Sequence, residues 1–301
     1  MDMEWYSMGD FGMFCGSWFC GATRCDCDMG LHAPTLCASS GKETSILNRF
    51  LFPAPKSSYS WASFEGELMC IVGREGNIVP CTVMPGTCAR PGSEHPLPFN
   101  IQDPASALVI YCHANGEDVG VLYEAGHWLC DTLGVHVLIP EFPGYGMSPG
   151  SPNEISVNRN IYATYDFAVN GLHWNPRNII LFGRSIGTGP AVKLASELEC
   201  GGLILVSPYT SVKDLVAQHA GILTSWLTAE LAHLYPSDEC IAKVKCPTLI
   251  VHGAADKVIP CEQARTLYRK ASSRKRLVVL DGIGCSLSHS PCLCPSPQSL
   301  P

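Results

Sequence analysis

The chain has 301 residues, 46% of them hydrophobic and only 16% charged, which suits one large α/β domain of roughly 200–250 residues with a sizeable core, plus a tail. A formal net charge of -7 argues against nucleic acid as the main partner and leaves no polybasic patch for anionic lipid. The 17 cysteines are scattered, and Cys70, Cys81 and Cys112 lie inside apolar runs, the pattern of reduced, packed thiols in an intracellular protein rather than of a disulfide framework.

Residues 1–60 are rich in Gly, Cys, Ser and Pro and lack sustained periodicity. Their longest uncharged stretch, "FGMFCGSWFCGAT", is well short of the roughly 18 apolar residues of a membrane span. Asp2, Glu4 and Asp10 ahead of it are acidic, which is wrong for a secretory signal. Residues 61–284 read as one folded domain. "ELMCIV" and "NIVPCTVM" form an opening strand pair, "ALVIYC" a buried strand, and Val121 to Leu133 an amphipathic stretch. "VHVLIPE" is the next strand, and Ile161, Tyr165, Ala168 and Leu172 then recur at helical spacing. "NIILFG" is a strand, "PAVKLASELE" a helix, and "GLILVSP", "PTLIVHG" and "RLVVLDG" are three more strands. Such alternation predicts a mostly parallel sheet with helices on both faces, whose chemistry gathers at the carboxyl ends of the strands. Residues 285–301, "CSLSHSPCLCPSPQSLP", are an irregular Pro/Ser/Cys tail.

Three strand ends carry candidate chemistry. "LFGRSIGTGP" sets Ser185 in a G-x-S-x-G pattern between a strand and a helix. A serine hydroxyl is a weak nucleophile that needs a sharp turn, a base and amides for a developing oxyanion. Gly183 and Gly187 allow the turn, and the Ile186 amide at the helix start would be one oxyanion donor. The bland alternative is a glycine-rich turn with a capping serine. "IYCHANGED" follows its strand with the Asn115 amide as second donor, and His113 there reads as a brace for the turn. "LIVHGAADKVIP" places Asp256 just past a strand, where a carboxylate can orient an imidazole or merely cap a loop. Ser before Asp, with the histidine last, is the chain order of this machinery.

Together "YCHANGEDVG", "PEFPGYGMSPGSP", "LFGRSIGTGPAV", "LVSPYTSVKDLV" and "KCPTLIVHGAADKVIP" resemble the α/β-hydrolase-domain-containing protein 17 group over about residues 61–284. The resemblance implies an α/β-hydrolase fold and a membrane-tethered serine hydrolase, some members being protein depalmitoylases. It makes Ser185 the nucleophile and Asp256 the acid, and expects a histidine in a "D-G-x-G-H" turn after the last strand. The chain instead reads "LDGIGCSLSHSP", with Cys285 at that place and His289 four residues on. A thiol with a pKa near 8.5 is a poor base at neutral pH. Either His289 reaches back as the base or the triad is broken, and the tail stands where the family has a closing helix.

The resemblance also implies S-acylation of an N-terminal cluster. Cys15, Cys20, Cys25 and Cys27 lie beside Phe11, Phe14, Trp18 and Phe19, and two or more acyl chains anchor stably. The rival readings are a zinc site, a reduced leader, and initiation at Met8 exposing Gly9. The C-x4-C-x4-C-x-C spacing lacks the paired knuckles of common zinc modules. Val212 to Tyr235 suits a small helical cap in which Leu223, Trp226 and Leu227 contact an acyl chain or simply pack. The expectation is a monomeric serine hydrolase without metal or cofactor, acting on an acylated protein or small ester. It would sit on the cytoplasmic face of a membrane or in the cytosol. The other class is a catalytically impaired scaffold or lipid-binding protein lacking the triad histidine.

Overall fold

A computed structural model describes residues 48, 51–64, 66–86, 105, 107–220, 234–282 and 284, with the backbone alone for 218–220. Cys15, Cys20, Cys25, Cys27, Leu223, Trp226, Leu227, Cys285 and His289 lie outside the described residues.

Strands β1 (Leu68–Val72) and β2 (Ile78–Met84) form the expected hairpin, and β3 (Leu108–Cys112) follows. Helix α1 (Val119–Leu133) begins two residues ahead of the expected stretch, because the Asp118 carboxylate accepts the Val121 amide and caps it. Then come β4 (His136–Pro140), α2 (Glu154–Asp166) with a π turn over Phe167–Gly171, β5 (Ile179–Arg184) and α3 (Thr188–Glu197). The Asn153 and Ser156 side chains close a capping box at the start of α2. The chain continues through β6 (Gly202–Val206), α4 (Val212–Ala220), the short α5 (Ser237–Cys240), β7 (Thr248–Gly253), α6 (Cys261–Lys270) and β8 (Lys275–Leu280).

The eight strands form one sheet in the order β1-β2-β4-β3-β5-β6-β7-β8. Only the β1–β2 and β2–β4 pairs are antiparallel. This is the α/β-hydrolase fold. Every residue of β3 and β4 is buried, as parallel strands sandwiched by helices require. One face packs under α2, α3 and α6 around Leu108, Ile110, Leu181, Leu194, Leu205 and Leu267. The other packs under α1, with Tyr59 reaching in from the irregular segment ahead of β1. Leu51, Phe52 and Tyr59 are buried, so residues 51–60 belong to the packed structure.

Helices lie on both faces, but the coverage is uneven. Along the α1 face two rows run from strand to strand: Phe182, Ile204 and Leu249, then Val206, Val251 and Val278. All six are half-buried, whereas Leu203, Leu205 and Ile250 on the opposite face are at most 1% exposed. Among the described residues no helix covers this half of the sheet.

At the carboxyl ends of β3 and β4, His113 and Glu141 are fully buried, with Nε2 3.1 Å from a carboxylate oxygen. The same Nε2 lies 3.2 Å from the Phe142 amide, and it cannot donate to Glu141 while accepting from Phe142. The imidazolium donates to the Ala114 carbonyl through Nδ1 and to the otherwise orphaned Glu141 oxygen through Nε2 at the expense of the Phe142 amide bond, whereas the neutral ring keeps that bond and leaves the carboxylate oxygen without a partner. Burial pulls the pKa of His113 down, but the hydrogen bond and charge of Glu141 outweigh it and leave it raised above 6.5. A raised histidine stabilises the fold fully below its unfolded value of about 6.5, and that stabilisation is lost as pH climbs through the folded value. Urea denaturation of wild type and His113→Asn should therefore give a stability gap of about 3–5 kcal/mol near pH 6 that narrows toward pH 9. A gap independent of pH would mean that a neutral imidazole accepts from Phe142.

Candidate active site

The site is built where β5 turns into α3. Ser185 adopts a left-handed φ of 51°, rare and strained for a residue with a side chain. Glycine is needed on both sides for packing. A Cβ on Gly187 would fall 2.2 Å from the carbonyl oxygen of Cys112, the last residue of β3. A Cβ on Gly183 would fall 2.6 Å from the carbonyl of Gly187. The elbow is thus pressed against both its own helix and the neighbouring strand. The Thr188 hydroxyl donates to the Ser185 carbonyl at 2.7 Å, and the Tyr209 hydroxyl to the Ile186 carbonyl at 3.3 Å.

The loop after β3 faces this elbow, since β3 and β5 are direct neighbours and Cys112 is in register with Gly183. The Ala114 amide donates to Glu117 Oε2 at 3.1 Å. The Asn115 amide, the expected second donor, has no protein partner among the described residues. Asn115 itself is fixed by its side chain, which donates to the Leu51 carbonyl at 2.7 Å and accepts from Tyr145 at 3.0 Å. The other oxygen of Glu117 pairs with Arg184, the residue just before Ser185, and both side chains are largely buried at 7% and 16% exposed. One carboxylate therefore ties the proposed oxyanion loop to the elbow. Sequence reasoning missed this strut. Its trace was a charged residue, Arg184, at the end of an apolar strand, matched by the acidic "GED" in the loop opposite. The Asp118 carboxylate binds Ser58 through both amide and hydroxyl, and the Glu141 carboxylate accepts Tyr59, so the segment ahead of β1 is pinned to the same loop.

Asp256 lies past β7, two strands from β5 and hence roughly 10 Å across the sheet, a gap that a side chain between them must bridge. One carboxylate oxygen accepts the amides of Val258 and Ile259 at 2.9 and 2.8 Å. The other is buried without a hydrogen-bond partner among the described residues. His252 Nε2 lies 3.6 Å from it, too far for a hydrogen bond, and is 2.7 Å from the Ile259 carbonyl instead. Burial lowers the pKa of His252, which disfavours the charged ring beside Asp256. The structure thus brings Ser185, Ile186, Asn115 and Asp256 to one edge of the sheet. No cluster of three or more potential metal ligands occurs among the described residues. Two cavities, of about 400 and 380 Å³, are lined by Phe52 and Pro152 and by Thr210 and Gln263 respectively, and neither includes these site residues. No helix among the described residues is long and apolar enough to cross a membrane.

Residues 103–240 match the family described as serine aminopeptidase, S33. The chain is 28% identical over 253 residues to the α/β hydrolase domain-containing protein aho-3 of Caenorhabditis elegans, covering 80% of this chain and 73% of that protein. It is 31% identical to the human α/β hydrolase domain-containing protein 17C, covering 58% of this chain and 52% of the relative. The match thus spans about half the length of the 17C protein. An esterase of Pyrococcus furiosus, Pf2001, superposes with a TM-score of 0.58 at 16% identity, covering 77% of this chain and 90% of that one. The chain has the α/β-hydrolase fold, and in sequence it is similar to the α/β-hydrolase-domain-containing protein 17 group.

Proposed function

We propose that the chain is a serine hydrolase of acyl esters or thioesters, with acylated proteins as one substrate class. The observation that carries this reading is Ser185 at a left-handed φ on a strand–turn–helix elbow, beside a loop whose Asn115 amide has no protein partner among the described residues. The Ser185 oxygen attacks the acyl carbonyl, and the amides of Ile186 and Asn115 hold the oxyanion. Collapse expels the alcohol or thiol, which takes the proton that a base removed from Ser185. Water then attacks the acyl-enzyme and releases the acid. Asp256 orients and stabilises the imidazole that shuttles these protons.

A second reading has its own support. Asp256 presents a buried oxygen with no hydrogen-bond partner among the described residues, and Cys285 stands where the family has histidine. On this reading the chain is an impaired hydrolase or a lipid-binding scaffold with an intact elbow. In either case the N-terminal cysteines anchor a monomer to the cytoplasmic face of a membrane by acylation.

Three measurements test these proposals. Ser185→Ala should abolish fluorophosphonate labelling and ester turnover with the fold intact. Ser185→Gly should do the same and gain roughly 1 kcal/mol of stability, because glycine relieves the left-handed backbone. Labelling that survives both changes removes Ser185 as nucleophile.

Losing the base of a triad costs on the order of 10⁴–10⁶ in rate, so the chain as written should turn over ester weakly. Cys285→His should raise that turnover strongly, whereas His289→Ala should change it little. A large loss in His289→Ala, from a wild type of ordinary activity, identifies His289 as the base.

With Cys15, Cys20, Cys25 and Cys27 all changed to Ser, the protein should move from the membrane to the soluble fraction on cell fractionation. Unchanged partitioning contradicts the acyl anchor.

A further inference from the structure

The sheet carries an unusual feature at the edge away from the site. Cys200 lies two residues ahead of β6 and Cys246 two residues ahead of β7, adjacent parallel strands joined by the Leu203 amide on the Pro247 carbonyl at 2.9 Å. Their sulfurs are 3.4 Å apart, and both residues are buried at 8% and 7% exposed. Eight cysteines are free among the described residues, and the Cys200–Cys246 contact is the only sulfur–sulfur hydrogen bond there. The two thiols differ. Cys200 donates its S–H to Cys246, which lowers the pKa of Cys246 and raises that of Cys200. Cys246 is thereby the better nucleophile of the pair, with a second sulfur already in contact to resolve what forms on it.

We propose that Cys200 and Cys246 form a reversible oxidation site, a dithiol that a peroxide converts into a disulfide stapling β6 to β7. The Cys246 thiolate attacks one peroxide oxygen, the O–O bond breaks, and hydroxide leaves, giving a sulfenic acid on Cys246. The Cys200 sulfur then attacks that sulfur, forming the S–S bond and expelling hydroxide, which takes up the Cys200 proton as water. Two thiols and one hydrogen peroxide become one disulfide and two waters. The sulfurs must close by about 1.4 Å to reach bonding distance, a shift confined to the two residues that enter the strands. The bridge would enclose β6, the Tyr209 turn, α4 and the whole Val212–Tyr235 segment in one covalent loop. It lies at the amino ends of the strands, so it would restrain that loop without touching Ser185 or Asp256, and it does not depend on the hydrolase reading.

The test uses the full chain, reduced, desalted and treated with hydrogen peroxide. Remaining thiols are alkylated in denaturant and the protein is digested without reductant. A Cys200–Cys246 linked peptide that dithiothreitol separates is the expected product. Oxidation should also raise Tm by roughly 5–10 °C in wild type and not in Cys200→Ala or Cys246→Ala. Recovery of both residues as alkylated thiols, as sulfinic acids, or bridged to other cysteines would overturn the proposal. So would an equal rise in Tm in the two variants. The peptide map of the wild type needs no variant to fold.

Discussion

The close contact between Gly187 and the last carbonyl of β3 sets the geometry of the whole site. With 2.2 Å from a would-be Cβ to the Cys112 oxygen, only glycine lets α3 begin this near the sheet. That approach forces the sharp reversal at Ser185, sets its φ to 51°, and brings the Ile186 amide beside the loop that carries Asn115. A larger residue at Gly187 would move the helix start away from β3 and separate the two amides. The strain at Ser185 persists because Gly183, Gly187, Thr188 and Tyr209 together over-determine the turn.

Around that contact the molecule holds several desolvated charges. Glu117 joins Arg184 to the Ala114 amide, Glu141 joins His113 to Tyr59, and Asp118 joins the start of α1 to Ser58. Buried carboxylates are expensive unless fully partnered, so such pairs seldom add net stability. Their common effect here is positional. Each acidic group fixes the loop after β3 to a different element: the elbow, the end of β4, and the segment ahead of β1. On the proposed reading, a loop that offers an amide to a developing negative charge has to be held before that charge forms, because reorganisation during the reaction would add to the barrier.

Among the described residues the opposite flank is less covered. Phe182, Ile204, Leu249, Val206, Val251 and Val278 remain half-exposed, and the free oxygen of Asp256 sits past the end of β7. Among the described residues, the half-exposed rows and the unpartnered carboxylate both lie toward β7 and β8, the side on which the proposed reaction needs an imidazole. The sequence after β8 reads Cys285 and, four residues on, His289. On the proposed reading, the described residues supply a nucleophile and an acid but no imidazole hydrogen-bonded to Asp256, and the two proposed functions differ only in what fills that seat.

The strands were legible in the sequence because parallel strands buried on both faces are short, continuous apolar runs, such as "LVIYC" and "HVLIP". The positions of Ser185 and Asp256 just past strands were legible for a local reason, since glycine spacing and strand ends are properties of a few consecutive residues. Other features have no local signature. The Arg184–Glu117 pair joins residues 67 apart, and the Cys200–Cys246 contact joins residues 46 apart. The unequal cover of the two sheet faces depends on where helices pack, and the half-exposed Ile204 and the buried Leu205 are neighbours in one uniform apolar run. The sequence by itself determined the order of elements and the residues at the strand ends, since hydrophobic period and turn chemistry act over a few positions. Only the tertiary structure decided which charges meet, which thiols touch and which face is less covered among the described residues, because strand order and packing bring together residues that are distant along the chain.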